Sequence, residues 1–158
     1  MDEQEQNVRA EIDRDTTPLS EDERIDPQSI MEGLPPVNWG ALFMPPIWGP
    51  AHGIWITILY YPVWIFADNL LYSAYTAPSV LSITLAVLTV LILAAVTIVF
   101  ARAGQEHACR RALSDLGKTK QWYRDRQKKW AFAMAVVAVI FLAAATYYNL
   151  CIRPTLGA

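Results

Sequence analysis

"VLSITLAVLTVLILAAVTIVFA", residues Val80–Ala101, is the stretch that decides the fold. It carries no charged side chain, and its polar groups are the hydroxyls of Ser82, Thr84, Thr89 and Thr97. A hydroxyl in a helix can bond back to a carbonyl one turn earlier. At about 1.5 Å of rise per residue, roughly 20 apolar residues cross the roughly 30 Å hydrocarbon core of a bilayer. Val80–Ala101 is long enough to do so. A helix in a soluble bundle keeps a polar stripe, and this one has none. Working outward, Trp130–Ile152 reads WAFAMAVVAVIFLAAATYYNLCI and is equally apolar. The rest of the chain has too little polar sequence to cover two such helices in water.

Upstream lies a third uncharged run, Gly33–Ala67, which opens with WGALFMPPIWGPAHGIW at Trp39–Trp55. Run straight from Trp39 to Tyr72, a helix would overshoot the hydrocarbon by several turns. Pro45-Pro46 and Gly49-Pro50 forbid that, because proline removes a backbone donor and clashes with the preceding turn. Freed carbonyls must then sit at the interface or against protein. The expected layout is an interfacial or re-entrant segment over residues 39–49, then span one over 51–72, starting near Pro50 and kinked at Pro62. Span two covers 79–101, a basic cytoplasmic loop 102–129, and span three 130–152. The fold class is thus all-α: an integral membrane protein with three transmembrane helices.

Charge is segregated along the chain. Residues 1–32 hold eleven acidic and three basic side chains, a balance of −8; residues 102–130 hold nine basic and three acidic, a balance of +6. The N-terminal part lacks aromatic residues and has few aliphatics, so residues 1–36 are expected to form a disordered acidic tail ahead of the 37–158 membrane domain. With no apolar core in its first 30 residues the chain shows no secretory signal, and span one acts as an uncleaved anchor. Short loops rich in Lys and Arg stay in the cytoplasm. That rule places the acidic tail and basic loop inside, Ser73–Pro78 and the C-terminus outside, in a plasma (inner) membrane. Cys109 and Cys151 then fall on opposite sides and cannot pair within one chain.

In the loop, Cys109, Ala112, Leu113 and Leu116 recur at helical spacing, and Gly117 ends that helix. Trp122, Tyr123 and Trp130 continue an apolar face. Two readings fit. The basic residues Arg110, Arg111, Lys118, Lys120, Arg124, Arg126, Lys128 and Lys129 can press a surface helix pair onto anionic headgroups. Alternatively, they only enforce topology, on helical continuations of spans two and three. The block is short and tethered to the bilayer, which argues against nucleic acid as partner.

Ionisable groups inside an apolar run are the candidate functional residues. His52 lies beside Gly49 and Gly53 next to the broken entrance, and Asp68 and Asn69 lie near the far end of span one. Each also has a bland reading, as an interfacial imidazole and as an end cap. His107, Glu106 and Cys109 form only a loop trio, and no metal set is expected. There is no phosphate-binding glycine loop, no nucleophile motif and no paired membrane carboxylate, so neither enzymatic activity nor a cofactor is expected. Trp39, Trp48, Trp55 and Trp64 read as interface anchors and packing. Ala131, Ala135 and Ala138 offer span three a close-approach face toward another span or a second subunit.

The entrance resembles that of a family of small uncharacterised bacterial inner-membrane proteins. Asn38, Trp39, Gly40 and Ala41, then Ile47, Trp48 and Gly49, stand where that family carries similar residues before its first span. Gln127 and Trp130 are similar to its entry to the last span. The resemblance covers about residues 37–152 and implies a location and a shared fold, with no activity attached. The functional expectation is therefore a non-enzymatic interaction or scaffold protein, presenting acidic tail and basic loop to lipid, to a membrane-protein partner or to a second copy. The alternative is a small subunit of an oligomeric transporter or channel.

Overall fold

The computed structural model describes Arg9 and residues 31–156. The disorder expected of the acidic tail therefore lies mostly outside the described residues. Among these the chain is all-helical. In chain order the elements are α1 (Trp39–Phe43), α2 (Pro45–Ala51), a 3₁₀ segment (Trp55–Leu59), α3 (Tyr60–Thr76), α4 (Val80–Arg110) and α5 (Lys120–Tyr147). A π-helical turn, Arg111–Asp115, ends α4; another, Tyr148–Ile152, ends α5 and leads into the short α6, Arg153–Leu156.

The entrance breaks at Met44, whose φ of −141° and ψ of 70° separate α1 from α2. Pro45 disfavours helical backbone at the residue before it and then opens α2, where its missing donor is harmless. Pro50 does not start span one. It lies inside α2, which ends at His52 where Gly53 turns to a φ of +86°. The first long element accordingly begins at Trp55 and runs to Thr76, not over 51–72. Pro62 sits in the first turn of α3, not mid-helix, and the chain just upstream is wound as 3₁₀. In an α-helix Pro62 would leave the Ile58 carbonyl without its donor and press against it, and the tighter winding avoids that contact.

Residues 102–129 are mostly helical, in line with the reading of helical continuations of the flanking spans: α4 runs to Arg110, its π-helical turn to Asp115, and α5 starts at Lys120, which leaves only a turn at 116–119. Gly117, at φ +57°, closes the first helix as the Lys118 amide donates to the Ala112 carbonyl at 3.0 Å. The Thr119 hydroxyl then caps α5 by accepting from the Trp122 amide at 3.2 Å. At the other end of α4, Ser79 and Ser82 form a reciprocal capping box. The turn between α3 and α4 is shorter than expected, because α3 reaches Thr76.

Two helical stretches, Val80–Leu113 and Lys120–Leu156, are long and apolar enough to cross a membrane. Their apolar side chains are mostly exposed: Leu91, Ile92, Val99, Val139, Ile140 and Leu142 are each more than half accessible. The buried core lies elsewhere, at the charged end of the bundle. Ala41, Trp48, Ala101, Ala108, Cys109, Ala112, Leu113 and Tyr123 form it, with Leu34, Val37, Phe100, Trp122 and Trp130 packed around them. Helix α1 packs on both α4 and α5, while α3 packs on α4.

Candidate functional site

Trp48 organises the charged end. Its indole is fully buried, against exposures of 52% for Trp39 and 68% for Trp55, so the entrance tryptophans divide into one core residue and exposed ones. The ring fits because two glycines lack side chains. A Cβ on Gly40 would come to 2.7 Å from Trp48 Cδ1, and one on Gly104 to 3.0 Å from Cζ3. Gly49 serves the next contact, since a Cβ there would collide with the Thr57 hydroxyl and the Ile54 carbonyl.

A buried polar network ties the entrance to both long helices. Asn38, 2% exposed, accepts from the Ala41 amide through Oδ1 at 3.0 Å and so caps α1. Its Nδ2 donates to Gln105 Oε1 at 2.8 Å and to Gln127 Oε1 at 2.7 Å. The Tyr123 hydroxyl donates to the same Gln105 oxygen at 3.0 Å, and burial raises its pKa well above the ordinary phenol value. Asn38 and Gln127, singled out separately in sequence, therefore meet directly. Gln105 was missed, because a lone Gln inside a charged segment carries no signal.

His52 stands at the junction of α2 and the 3₁₀ segment. It stacks on Trp48, ring centroids 4.0 Å apart, and meets Trp130 edge-on at 5.3 Å. Its Nδ1 lies 2.8 Å from the Trp48 carbonyl, an acceptor, so Nδ1 carries the proton of the neutral ring. Burial lowers its pKa below 6.5; the backbone bond opposes this, and Arg126, Arg111 and His107 lower it further. His52 is thus a neutral packing residue at pH 7. Beside it opens a cavity of about 280 Å³ lined by Arg111, Lys118, Trp122, Arg126 and Gln127, among others.

The basic residues do not form one uniform face. Arg110 pairs with Glu106 at 3.0 Å and Lys128 with Asp125 at 3.8 Å, each within its own helix. Lys120 and Arg124 are half-buried, and Lys129 is exposed. Arg111, Lys118 and Arg126 gather at the cavity. Arg111 donates to the His52 carbonyl at 2.8 Å, while Lys118 and Arg126 lie over the Trp122 ring at 5.6 and 5.1 Å.

Asp68 and Asn69 sit at the opposite end and join a second cluster. Asn149 Nδ2 donates to Asp68 Oδ1 at 2.7 Å. Arg153 donates to Asn69 Oδ1 at 2.7 Å and to Asn149 Oδ1 at 3.2 Å, and lies 3.8 Å over the Tyr72 ring. This clasp joins α3 to the end of α5. Between clasp and entrance, α3 and α5 flank an open groove of about 880 Å³, walled by Trp64, Ala67, Ala138, Phe141 and Leu142. Sequence reasoning left Asn149 out, because a single amide beside two tyrosines reads as a helix-end residue.

Cys109 is buried in the core, where burial pushes its thiol up to about 12, and Cys151 is exposed near the clasp. Among the described residues no three His, Cys, Asp or Glu side chains come together in a way that suits a metal ion. No protein-family model, curated protein or solved structure matches this chain.

Proposed function

We propose that this chain is a three-span protein of a bacterial inner membrane, and that its folded, charged end is a non-enzymatic interaction module on the cytoplasmic face. One observation carries the reading: the packed core lies at the charged end, while the long helices leave it with bare apolar sides. In water those sides would be a severe liability; in lipid they need no cover. The third span is supported by length. Seventeen α-helical residues at about 1.5 Å and five 3₁₀ residues at about 2.0 Å give Trp55–Thr76 roughly 35 Å, against a hydrocarbon core of roughly 30 Å. The excess of Lys and Arg at the α4–α5 turn supports a cytoplasmic position for that end.

Two measurements test this. Membranes washed with alkaline carbonate should retain the chain, and its release would overturn the membrane placement. Proteins cross-linked to the full chain in membranes should differ from those cross-linked to a chain lacking residues 1–32. An identical set would remove the tail as a docking segment. The groove between α3 and α5 favours a second reading, a subunit of an oligomeric transporter or channel. Its walls between the two polar clusters are mostly apolar, so a pathway would need a second chain to complete it. A monomer in native membranes would count against that reading.

A further inference from the structure

We propose that the cavity bounded by Arg111, Lys118 and Arg126 binds a phosphate group, carried by an anionic lipid headgroup or by a soluble phosphate compound. The inference deepens the interaction reading above and rests on it for the position of the cavity at the membrane surface.

Three elements converge on the site. Arg111 comes from the π-helical turn that ends α4, Lys118 follows the left-handed Gly117, and Arg126 projects from the second turn of α5. The small side chains of Ala108 and Ala112 leave the space between them open. Each cation is held in place by a neighbour. Arg111 spends one donor on the His52 carbonyl and keeps the remaining N–H groups of its planar fork, the geometry suited to phosphate oxygens. Lys118 and Arg126 rest on the Trp122 ring, which orients them without neutralising them.

Among the described residues no carboxylate lines the cavity. Arg110 and Lys128 are already paired with Glu106 and Asp125, whereas none of the three cavity cations has an acidic partner among the described residues. Gln127 adds an amide at the rim, while its oxygen is engaged by Asn38. The position also fits a headgroup. His52 touches both the cavity and Trp130, where the uncharged part of α5 begins, so the opening lies at the boundary between charged and apolar sequence.

The test uses the full chain in mild detergent. Retention of dioleoyl phosphatidic acid and of phosphatidylcholine is read by native mass spectrometry, and stabilisation by inorganic phosphate by thermal unfolding. The variant is Lys118→Gln with Arg126→Gln, neither of which makes a buried hydrogen bond. The control is Arg110→Gln with Lys128→Gln, the same charge change away from the cavity. Loss of two surface cations corresponds to about a thirtyfold weakening. Phosphatidic acid held in preference to phosphatidylcholine, and lost about thirtyfold in the cavity variant only, supports the site with lipid as its source. Stabilisation by inorganic phosphate that disappears in the same variant supports it with a soluble source. Equal losses in variant and control, or no preference and no stabilisation in the unaltered chain, overturn it. Carbonate extraction reports on membrane placement separately, so a peripheral chain that still binds inorganic phosphate would sink only the membrane reading.

Discussion

Replacing Asn38 by alanine removes three interactions at once. The α1 cap is lost at a cost of about 1 kcal/mol. Gln105 loses one donor but keeps the Tyr123 hydroxyl, so that bond contributes about 1 kcal/mol more. Gln127 loses the Asn38 donor; an unsatisfied buried acceptor costs about 1–3 kcal/mol, and its half-buried position lets water recover part of that. The sum is a destabilisation of about 3 kcal/mol, localised at the charged end. Chemical unfolding in mild detergent reads the total. Hydrogen exchange reads the place: amides of Trp39–Phe43 and of the segment around Gln105 should lose protection, while those of residues 85–95 should not. Contacting residues in one network are non-additive, so Asn38→Ala and Gln127→Ala together should cost less than the sum of the two. A loss below about 1 kcal/mol, or strict additivity, would refute the claim that this network fastens the entrance to α4 and α5.

Gly104→Ala should push Trp48 from its slot and destabilise by about 1–3 kcal/mol, with a red-shifted tryptophan emission; an unchanged spectrum and stability would show that the packing is looser than described. A polar maleimide should label Cys151 in the folded protein and reach Cys109 only after denaturation, because Cys109 is buried with its thiol pKa raised to about 12; added to intact cells, the reagent should still reach Cys151 if the C-terminus is outside. The His52 pKa is lowered on folding, so its contribution is complete above about pH 6.5 and is lost as pH falls below that; unfolding at pH 7.5 and 5.5 should show a drop that is smaller in His52→Phe, and an equal drop in both would exclude His52 as its source. Asn149→Leu removes the bonds to Asp68 and Arg153, and spin labels at Ser73 and Ile152 should report a broader distance distribution; an unaltered one would mean that the clasp does not hold α3 to α5.

Much of the architecture was legible in the residues themselves. An uncharged run such as Val80–Ala101 points to a long helix, and Pro45 disfavours helical backbone at Met44, where the entrance breaks. The end of α4 was legible too, since Gly117 adopts the left-handed conformation that glycine favours. Boundaries were less so. Pro50 reads equally well as the first turn of a new helix or the last of an old one, and the choice depended on Gly53 and on the approach of Thr57 to Gly49. The helical spacing of Cys109, Ala112, Leu113 and Leu116 was legible within 102–129, but not that this face would bury Cys109, Leu113 and Tyr123 against Trp48.

What only tertiary structure decided is which distant residues meet. Asn38 and Gln127 are 89 positions apart, and Asp68 and Asn149 are 81 apart. Each pair depends on how its helices are rotated about their axes. In a soluble helix an apolar stripe announces that rotation. Here the stretches of α4 and α5 beyond the core are apolar all round, and lipid accepts a leucine as readily as a neighbouring helix does, so hydrophobicity marks no inward face. The sequence by itself therefore determined that these helices exist and that their apolar stretches are long enough to cross a bilayer. Their rotation, the seating of Trp48 between two glycines, and the gathering of three cations beside His52 were settled by shape and by hydrogen bonds made across the bundle, which leave no periodic trace in the chain.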